Sequence, residues 1–148
     1  MKRFEFPLER VLEYRTHLQK NEKAVLSDLQ AQHRMICEER DMLAARLAAC
    51  CREYTAACTN GALVKELNTY IIYKEELRRQ LEAQERAVWE SQNRIDRQTQ
   101  KVVAANKDKR GLEILKDKQT DLYLTLVRKE DERFLEEFVT SGIPVIRQ

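Results

Sequence analysis

The sequence predicts an all-α fold, a long two-helix antiparallel coiled-coil hairpin in which helix two is longer than helix one. Three observations support this prediction. No proline lies between Pro7 and Pro144, so this helix breaker is absent from most of the chain. The composition is typical of long helices, with 35% charged residues, 3 glycines and 2 prolines. The interior has one turn signal, at residues 58–61.

Helix one is expected from about residue 7 to residue 58. Pro7 suits the first turn of a helix, where the N–H that it lacks would have no partner. Apolar residues recur at heptad spacing in two neighbouring rows that start at Leu8 and Val11. Charged residues interrupt both rows, so the pattern favours a loose two-stranded seam over a tight zipper.

A turn is expected at about residues 59–62, because Asn60-Gly61 tolerates the left-handed conformation that ends helices. Such a short connection makes the two helices antiparallel neighbours. Helix two should run from about residue 63 to residue 140, with heptad rows that start at Leu63 and Leu67. The polar stretch around Gly111 favours a kink or fraying.

A tail at residues 141–148 is expected to be disordered, since Gly142 and Pro144 stop the helix. The whole chain, 1–148, is interpreted as a single coiled-coil domain.

Helix two should outrun helix one. Pairing about residue 60 places Leu8 opposite roughly residue 112, and the remainder of helix two then has no partner on helix one. This overhang still contains apolar residues, so it is interpreted as a docking surface or an oligomer seam. The alternative is that helix two folds back near Gly111 and covers the apolar stripe itself.

A second candidate surface lies near the turn, where Tyr54, Tyr70 and Tyr73 fall close together. Tyrosine is enriched at protein interfaces because it combines apolar area with a polar group. The three rings cannot all face inward, so at least one should be exposed. The alternative is that they pack the seam.

No catalytic, cofactor-binding or metal site is predicted, and an enzyme is not expected. The 3 glycines are isolated, so no phosphate-binding loop is present. His17 and His33 lie far apart in charged surroundings and are expected on the surface. The 4 cysteines form no C-x-x-C pair and are interpreted as small apolar fillers in a reducing cytoplasm, with a disulfide at Cys50 or Cys51 left open.

The charge balance disfavours a nucleic-acid partner, because 27 basic residues are nearly matched by 25 acidic ones. The basic cluster at residues 94–118 lacks the aromatic residues that stack on single strands. No segment approaches the ~20 apolar residues of a membrane span, and residues 1–15 lack the apolar core of a signal peptide. The chain is therefore expected in the cytoplasm without direct membrane insertion.

Three elements of the sequence resemble the FliJ family of flagellar export proteins. The opening segment from Phe4 to Leu12 follows an F-x-F-x-L-x-x-V-L pattern. Residues 70–77 are similar to the family's aromatic stretch after the turn. Residues 112–118 and 130–132 resemble its late LE-x-L element and acidic signature. The resemblance covers nearly the whole chain.

This resemblance implies a stalk like the coiled coil of the rotary ATP synthase gamma subunit. The helix ends would enter a hexameric export ATPase (FliI-like), and the region near the turn would meet an export gate protein (FlhA-like). The chain would escort export chaperones at the inner-membrane export apparatus and would be needed for flagellum assembly, motility and chemotaxis.

The resemblance also assigns residues to two partners. The implied ATPase-binding residues are Phe4, Leu8, Val11, Leu115, Leu122, Leu126, Phe134 and Phe138. The implied export-gate-binding residues are Leu47, Tyr54, Tyr73 and Leu77. Cys50, Gln80 and Gln84 depart from the family's pattern near the turn.

Two alternative functions remain open. The equivalent stalk of a virulence type III secretion system would share this architecture. A structural scaffold that only self-associates would require an apolar seam without interruption over many heptads, and the seam here is interrupted.

Overall fold

Two α-helices make up the fold in the computed structural model, which describes residues 2–142. Helix α1 spans Glu9–Thr59, and helix α2 spans Val64–Ser141. The two helices are antiparallel and the second is the longer, so the predicted fold class is confirmed. The predicted tail lies outside the described residues from position 143 onward.

The start of α1 is a tight turn built around Pro7. The Glu9 amide donates to the Phe6 carbonyl at 3.1 Å, and the Leu12 amide donates to the Leu8 carbonyl at 2.9 Å. The regular helix therefore begins two residues after the predicted start. Pro7 still lies in the opening turn, where its fixed φ is compatible with the helix.

The end of α1 is a Schellman motif centred on Gly61. The Ala62 amide donates to the Ala57 carbonyl at 3.0 Å, and the Gly61 amide donates to the Cys58 carbonyl at 3.4 Å. Gly61 has a φ of 75°, which is the left-handed region that this motif requires. The Asn-Gly signal is thus confirmed as the turn between the helices.

Helix α2 runs through Gly111 without interruption. Lys109 and Arg110 each form an ion pair with Glu113, at 3.7 Å and 3.4 Å, and these pairs span the glycine. The helix is not frayed at this position, because a single glycine costs only about 1 kcal/mol in a helix that is fixed on both sides. The kink stays a prediction.

The chain divides into two compact units. We call residues 21–103 the turn unit. We call residues 2–20 together with 104–142 the terminal unit. Each unit pairs a stretch of α1 with an antiparallel stretch of α2.

On α2 the seam of the turn unit follows the predicted heptad rows, and on α1 it follows the row that starts at Leu8. The predicted Val11 row was wrong, because its members in this unit are exposed and the row that starts at Leu12 is half-buried instead. Leu77, Ser91 and Gln98 belong to the row that starts at Leu63, and their exposed fractions are 3%, 5% and 6%. Cys50 on α1 belongs to the row that starts at Leu8 and is 2% exposed. No large side chain among residues 2–142 is fully buried. The seam is therefore thin, as the interrupted rows predicted.

Glutamines bridge the two helices where the seam is polar. The Gln98 amide donates to the backbone carbonyl of Glu22 at 3.0 Å and also to the Glu22 carboxylate. Gln84 likewise donates to the Ile36 carbonyl at 3.0 Å and to Glu39 Oε2 at 3.1 Å. Gln98 is buried and Gln84 is half-buried. Both amides are hydrogen-bonded, so they fix the register of the two helices at little net gain in stability.

His33 lies in the seam, which corrects the expectation that both histidines are on the surface. Its Nδ1 is 2.9 Å from Ser91 Oγ, and its Nε2 is 3.5 Å from Cys37 Sγ. His17 is exposed, as expected. The small serine side chain on α2 leaves the room that the imidazole ring of α1 occupies.

All four cysteines are free thiols. Cys50 is buried and acts as an apolar filler, whereas Cys58 is exposed beside the turn. Burial raises the pKa of the Cys50 thiol, and nearby Cys51 and Glu53 add to the effect. The interpretation of cysteines as fillers thus holds for Cys50 and fails for Cys58.

Candidate protein-binding surfaces

In the terminal unit, the segment before α1 folds against α2. We call residues 2–8 the N-terminal strap. The rings of Phe4 and Tyr123 lie 5.5 Å apart between centroids, and the Tyr123 hydroxyl donates to the Lys2 carbonyl at 2.9 Å. Phe6 is 7% exposed. The strap therefore covers apolar surface of α2 before α1 begins.

Polar contacts continue this packing where α1 starts. Lys116 Nζ is 2.8 Å from Glu9 Oε2 and 5.9 Å from the centre of the Phe6 ring. Gln19 accepts a hydrogen bond from Lys109 at 3.1 Å. These side chains are partly solvated, so each ion pair contributes less than about 1 kcal/mol. They align α1 with α2 more than they stabilise the fold.

The N-terminal strap makes the overhang of α2 shorter than predicted. The prediction placed Leu8 opposite roughly residue 112, but Glu9 contacts Lys116 and Phe4 contacts Tyr123. An extended segment advances about 3.3 Å per residue, whereas a helix advances about 1.5 Å. A few residues before α1 therefore cover about two further turns of α2.

The uncovered part of α2 lies farther along than predicted and is strongly apolar. Val127 is half-buried, and every residue from 128 to 142 is exposed. Large apolar side chains stand among them and just before them, with exposed fractions between 46% and 68%: Leu122, Leu124, Leu126, Phe134, Leu135, Phe138 and Val139. Exposed apolar surface of this extent is typical of interaction sites.

These apolar side chains occupy more than one face of α2. Phe134 and Phe138 continue the seam row of Tyr123 and Val127, because the intervals between them are four or seven residues. Leu115, Leu122 and Leu126 lie about a quarter turn away from that row. We call Phe134 and Phe138 the terminal aromatic pair, and we call Leu115, Leu122 and Leu126 the leucine flank.

The residues that the sequence assigned to the ATPase are therefore distributed over four places. Phe4 packs within the strap and is half-buried. Leu8, the last residue of the strap, is 37% exposed, and Val11, at the start of α1, is 42% exposed. The remaining residues belong to the leucine flank and to the terminal aromatic pair.

In the turn unit, the four residues assigned to the export gate are not equally accessible. Leu77 is 3% exposed and packs in the seam. Leu47 and Tyr54 are half-buried, and Lys74 Nζ lies 5.9 Å from the centre of the Tyr54 ring. Tyr73 is 50% exposed, which confirms that the tyrosines near the turn do not all face inward.

Several apolar residues near the turn are exposed although the sequence analysis assigned them to neither partner. Leu63 and Val64 precede or begin α2, and Ile71 and Ile72 lie in its first turns. Their exposed fractions range from 45% to 73%. The signal was present in the sequence, since Ile71 and Ile72 fall on neither heptad row. Trp89 is 68% exposed and also falls on neither heptad row, so the same comparison would have identified it.

The described residues offer other kinds of site little support. Among residues 2–142, no group of three or more His, Cys, Asp and Glu side chains could hold a metal ion. Within the same residues, neither helix has an apolar stretch long enough to cross a membrane.

The fold and its surfaces define a class of protein: an antiparallel two-helix coiled coil that presents apolar patches on each of its two units. The chain belongs to the family of the flagellar FliJ protein, whose family model matches residues 4–143. A comparison with curated proteins and one with solved structures gave no significant match.

Membership in this family makes the chain a flagellar export-related coiled-coil protein. Its family is in general a non-enzymatic component of export. The resemblance found in the sequence is therefore confirmed at the level of the family.

Proposed function

We propose that this chain is the coiled-coil stalk of the hexameric flagellar export ATPase, with the terminal unit as the end that contacts the ATPase. The observation that supports this proposal most is the apolar part of α2 that no other described segment covers. Phe134 and Phe138 are more than 65% exposed, and the leucine flank lies before them on another face. A helix with apolar residues on more than one face suits a site enclosed by several subunits.

A pull-down with the purified export ATPase tests the ATPase contact. Leu122→Asp combined with Leu126→Asp should lower binding at least tenfold, because each carboxylate would lie unpaired in an apolar interface. The matched control is Ile71→Asp with Ile72→Asp, which places the same charges on exposed apolar positions of the turn unit. Undiminished ATPase binding by a folded Leu122/Leu126 variant would refute the proposal.

We further propose that the turn unit contacts the export gate protein. Tyr73 and Tyr54 supply the accessible aromatic surface, and the exposed Ile71 and Ile72 extend it. Tyr73→Ala with Ile72→Ala should weaken gate binding in a pull-down while ATPase binding stays unchanged. Buried Leu77 contributes through packing, so its effect on binding should appear together with a loss of stability.

Escort of export chaperones and support of motility follow from the same proposal. A strain that carries the Leu122/Leu126 variant should assemble fewer flagella and spread less in soft agar than a strain with the unsubstituted chain. Normal motility with this variant would show that the chain's role in the cell does not depend on the apolar surface of the terminal unit.

The self-associating scaffold is the second candidate function. The same exposed aromatic pair could pair with a second copy, so mass in solution separates the two proposals. A stalk should be monomeric when alone and should gain mass with the ATPase. Large assemblies of the isolated chain would favour the scaffold.

A further inference from the structure

A row of apolar and basic side chains runs along the leucine flank of α2. Leu115, Lys118, Leu122, Leu126, Lys129 and Arg133 follow one another at intervals of three or four residues. Side chains at this spacing share one face of a helix. All six are exposed. The row contains three leucines, three cations and no acidic residue.

The three cations of this row are available to a partner. The ion pairs within residues 2–142 engage other basic residues of the terminal unit, such as Lys109, Arg110 and Lys116. None of them engages Lys118, Lys129 or Arg133. A partner that places carboxylates beside the leucines would therefore gain charge pairs without breaking any of these contacts.

The Leu115 end of the flank also adjoins α1, so that a docked segment would meet two helices at that end. Arg15 NH1 is 3.2 Å from Asp108 Oδ2. Asp108 lies two turns before Leu115 on the same face of α2, and Val11 lies one turn before Arg15 on α1. Val11 is 42% exposed. The ion pair thus marks the side of the terminal unit where both helices present apolar surface.

We propose that this flank binds an amphipathic helix whose apolar stripe is bordered by acidic residues. The inference rests on the proposed function, because it assigns a chemistry to the partner segment of the surface that contacts the ATPase. A third helix packed along the flank would bury the leucines, and its carboxylates would pair with Lys118, Lys129 and Arg133.

An anionic membrane surface fits the flank less well. A bilayer would reach the neighbouring faces of α2 as well as the row itself. Those faces carry Asp121 and Glu130, both exposed, which anionic headgroups would repel. A partner helix contacts one narrow row and avoids them.

Two synthetic helical peptides test the partner chemistry on the full chain. Both carry the same leucine stripe, bordered by Glu in one peptide and by Lys in the other. Fluorescence anisotropy should show that the Glu peptide binds at least about tenfold more tightly, and that added salt reduces the difference. Equal affinity of the two peptides, or no binding of either, would overturn the proposal.

Charge reversal separates recognition from folding. Lys118→Glu with Lys129→Glu should invert the preference, so that the Lys peptide binds more tightly. Arg110→Glu with Arg128→Glu makes the same change in net charge on another side of α2 and should leave the preference for the Glu peptide unchanged. A loss of preference in both double variants would show a non-specific charge effect and would overturn the proposal.

Two further measurements separate this inference from its alternatives. Vesicles that contain phosphatidylglycerol should not sediment the chain, and sedimentation that depends on Lys118 and Lys129 would overturn the proposal in favour of a lipid surface. Binding of the same variants to the ATPase is measured separately in a pull-down. A retained preference for the Glu peptide with no ATPase binding would refute the stalk proposal and leave the acidic-helix inference standing.

Discussion

The turn unit and the terminal unit use similar stretches of the same helix in opposite ways. In the turn unit, Leu77, Ser91 and Gln98 of α2 are buried against α1, and the polar side chains among them are hydrogen-bonded across the seam. In the terminal unit, Phe134 and Phe138 lie in the continuation of the same kind of row and are exposed. An apolar residue of a long helix thus stabilises the fold where it has a partner and offers a binding surface where it has none.

Truncation of one leucine in each unit tests this difference between the units most directly. Leu77→Ala should lower the free energy of unfolding by about 2–3 kcal/mol, because it leaves a cavity in a thin seam. Leu122→Ala should change it by less than about 0.5 kcal/mol, because the side chain is already in water. Urea unfolding followed by circular dichroism measures both. Equal losses would mean that Leu122 is covered in solution.

The glutamine bridges sharpen the comparison at the level of hydrogen bonds. Gln98→Ala should cost about 1–2 kcal/mol, because a buried amide that donates to a carbonyl and a carboxylate is removed. Gln92→Ala is the matched control, since the Gln92 amide bonds Asp96 within exposed α2 and contributes only about 0.2–0.5 kcal/mol. The same gain in helix propensity applies to both variants. A Gln92 variant as unstable as the Gln98 variant would contradict this account.

Substitutions of the glycines should have the smallest effects on the free energy of unfolding, with opposite signs in the two units. Gly61→Ala in the turn unit should cost about 1 kcal/mol, because alanine is strained at the φ of 75°. Gly111→Ala in the terminal unit should raise the free energy of unfolding by as much as about 1 kcal/mol, because it replaces a mid-helix glycine. A Cβ at either position meets nothing within 4 Å, so clashes do not obscure the result. Thermal unfolding measures both, and shifts of the same sign would show that backbone conformation is not the cause.

Much of the fold could be predicted from local sequence signals. The heptad rows predicted which residues of α2 lie in the seam, from Tyr70 to Tyr123, because helical periodicity fixes the face that a residue occupies. Asn60-Gly61 predicted the turn, because few residues other than glycine adopt the left-handed conformation. The family resemblance also depended on such local patterns, and the match over residues 4–143 confirmed it.

The candidate surfaces were less predictable, because they depend on contacts between distant segments. The strap was missed because residues 2–8 are not helical, and helical register does not describe how far they reach. The binding roles of Leu47, Tyr54, Tyr73 and Leu77 stay a prediction. Of these four, Leu77 is the one that the fold buries.

By itself the sequence determined that the chain forms two long helices, where they are joined and which face of α2 packs in the seam. Those properties follow from backbone conformation and from a repeat read over a few turns. The tertiary structure alone decided how far the strap reaches along α2, that His33 enters the seam beside Ser91, and which apolar residues remain uncovered. The physical reason is that exposure is a property of a pair of surfaces. A single helix specifies its apolar residues, but only the segment packed against it decides which of them meet water.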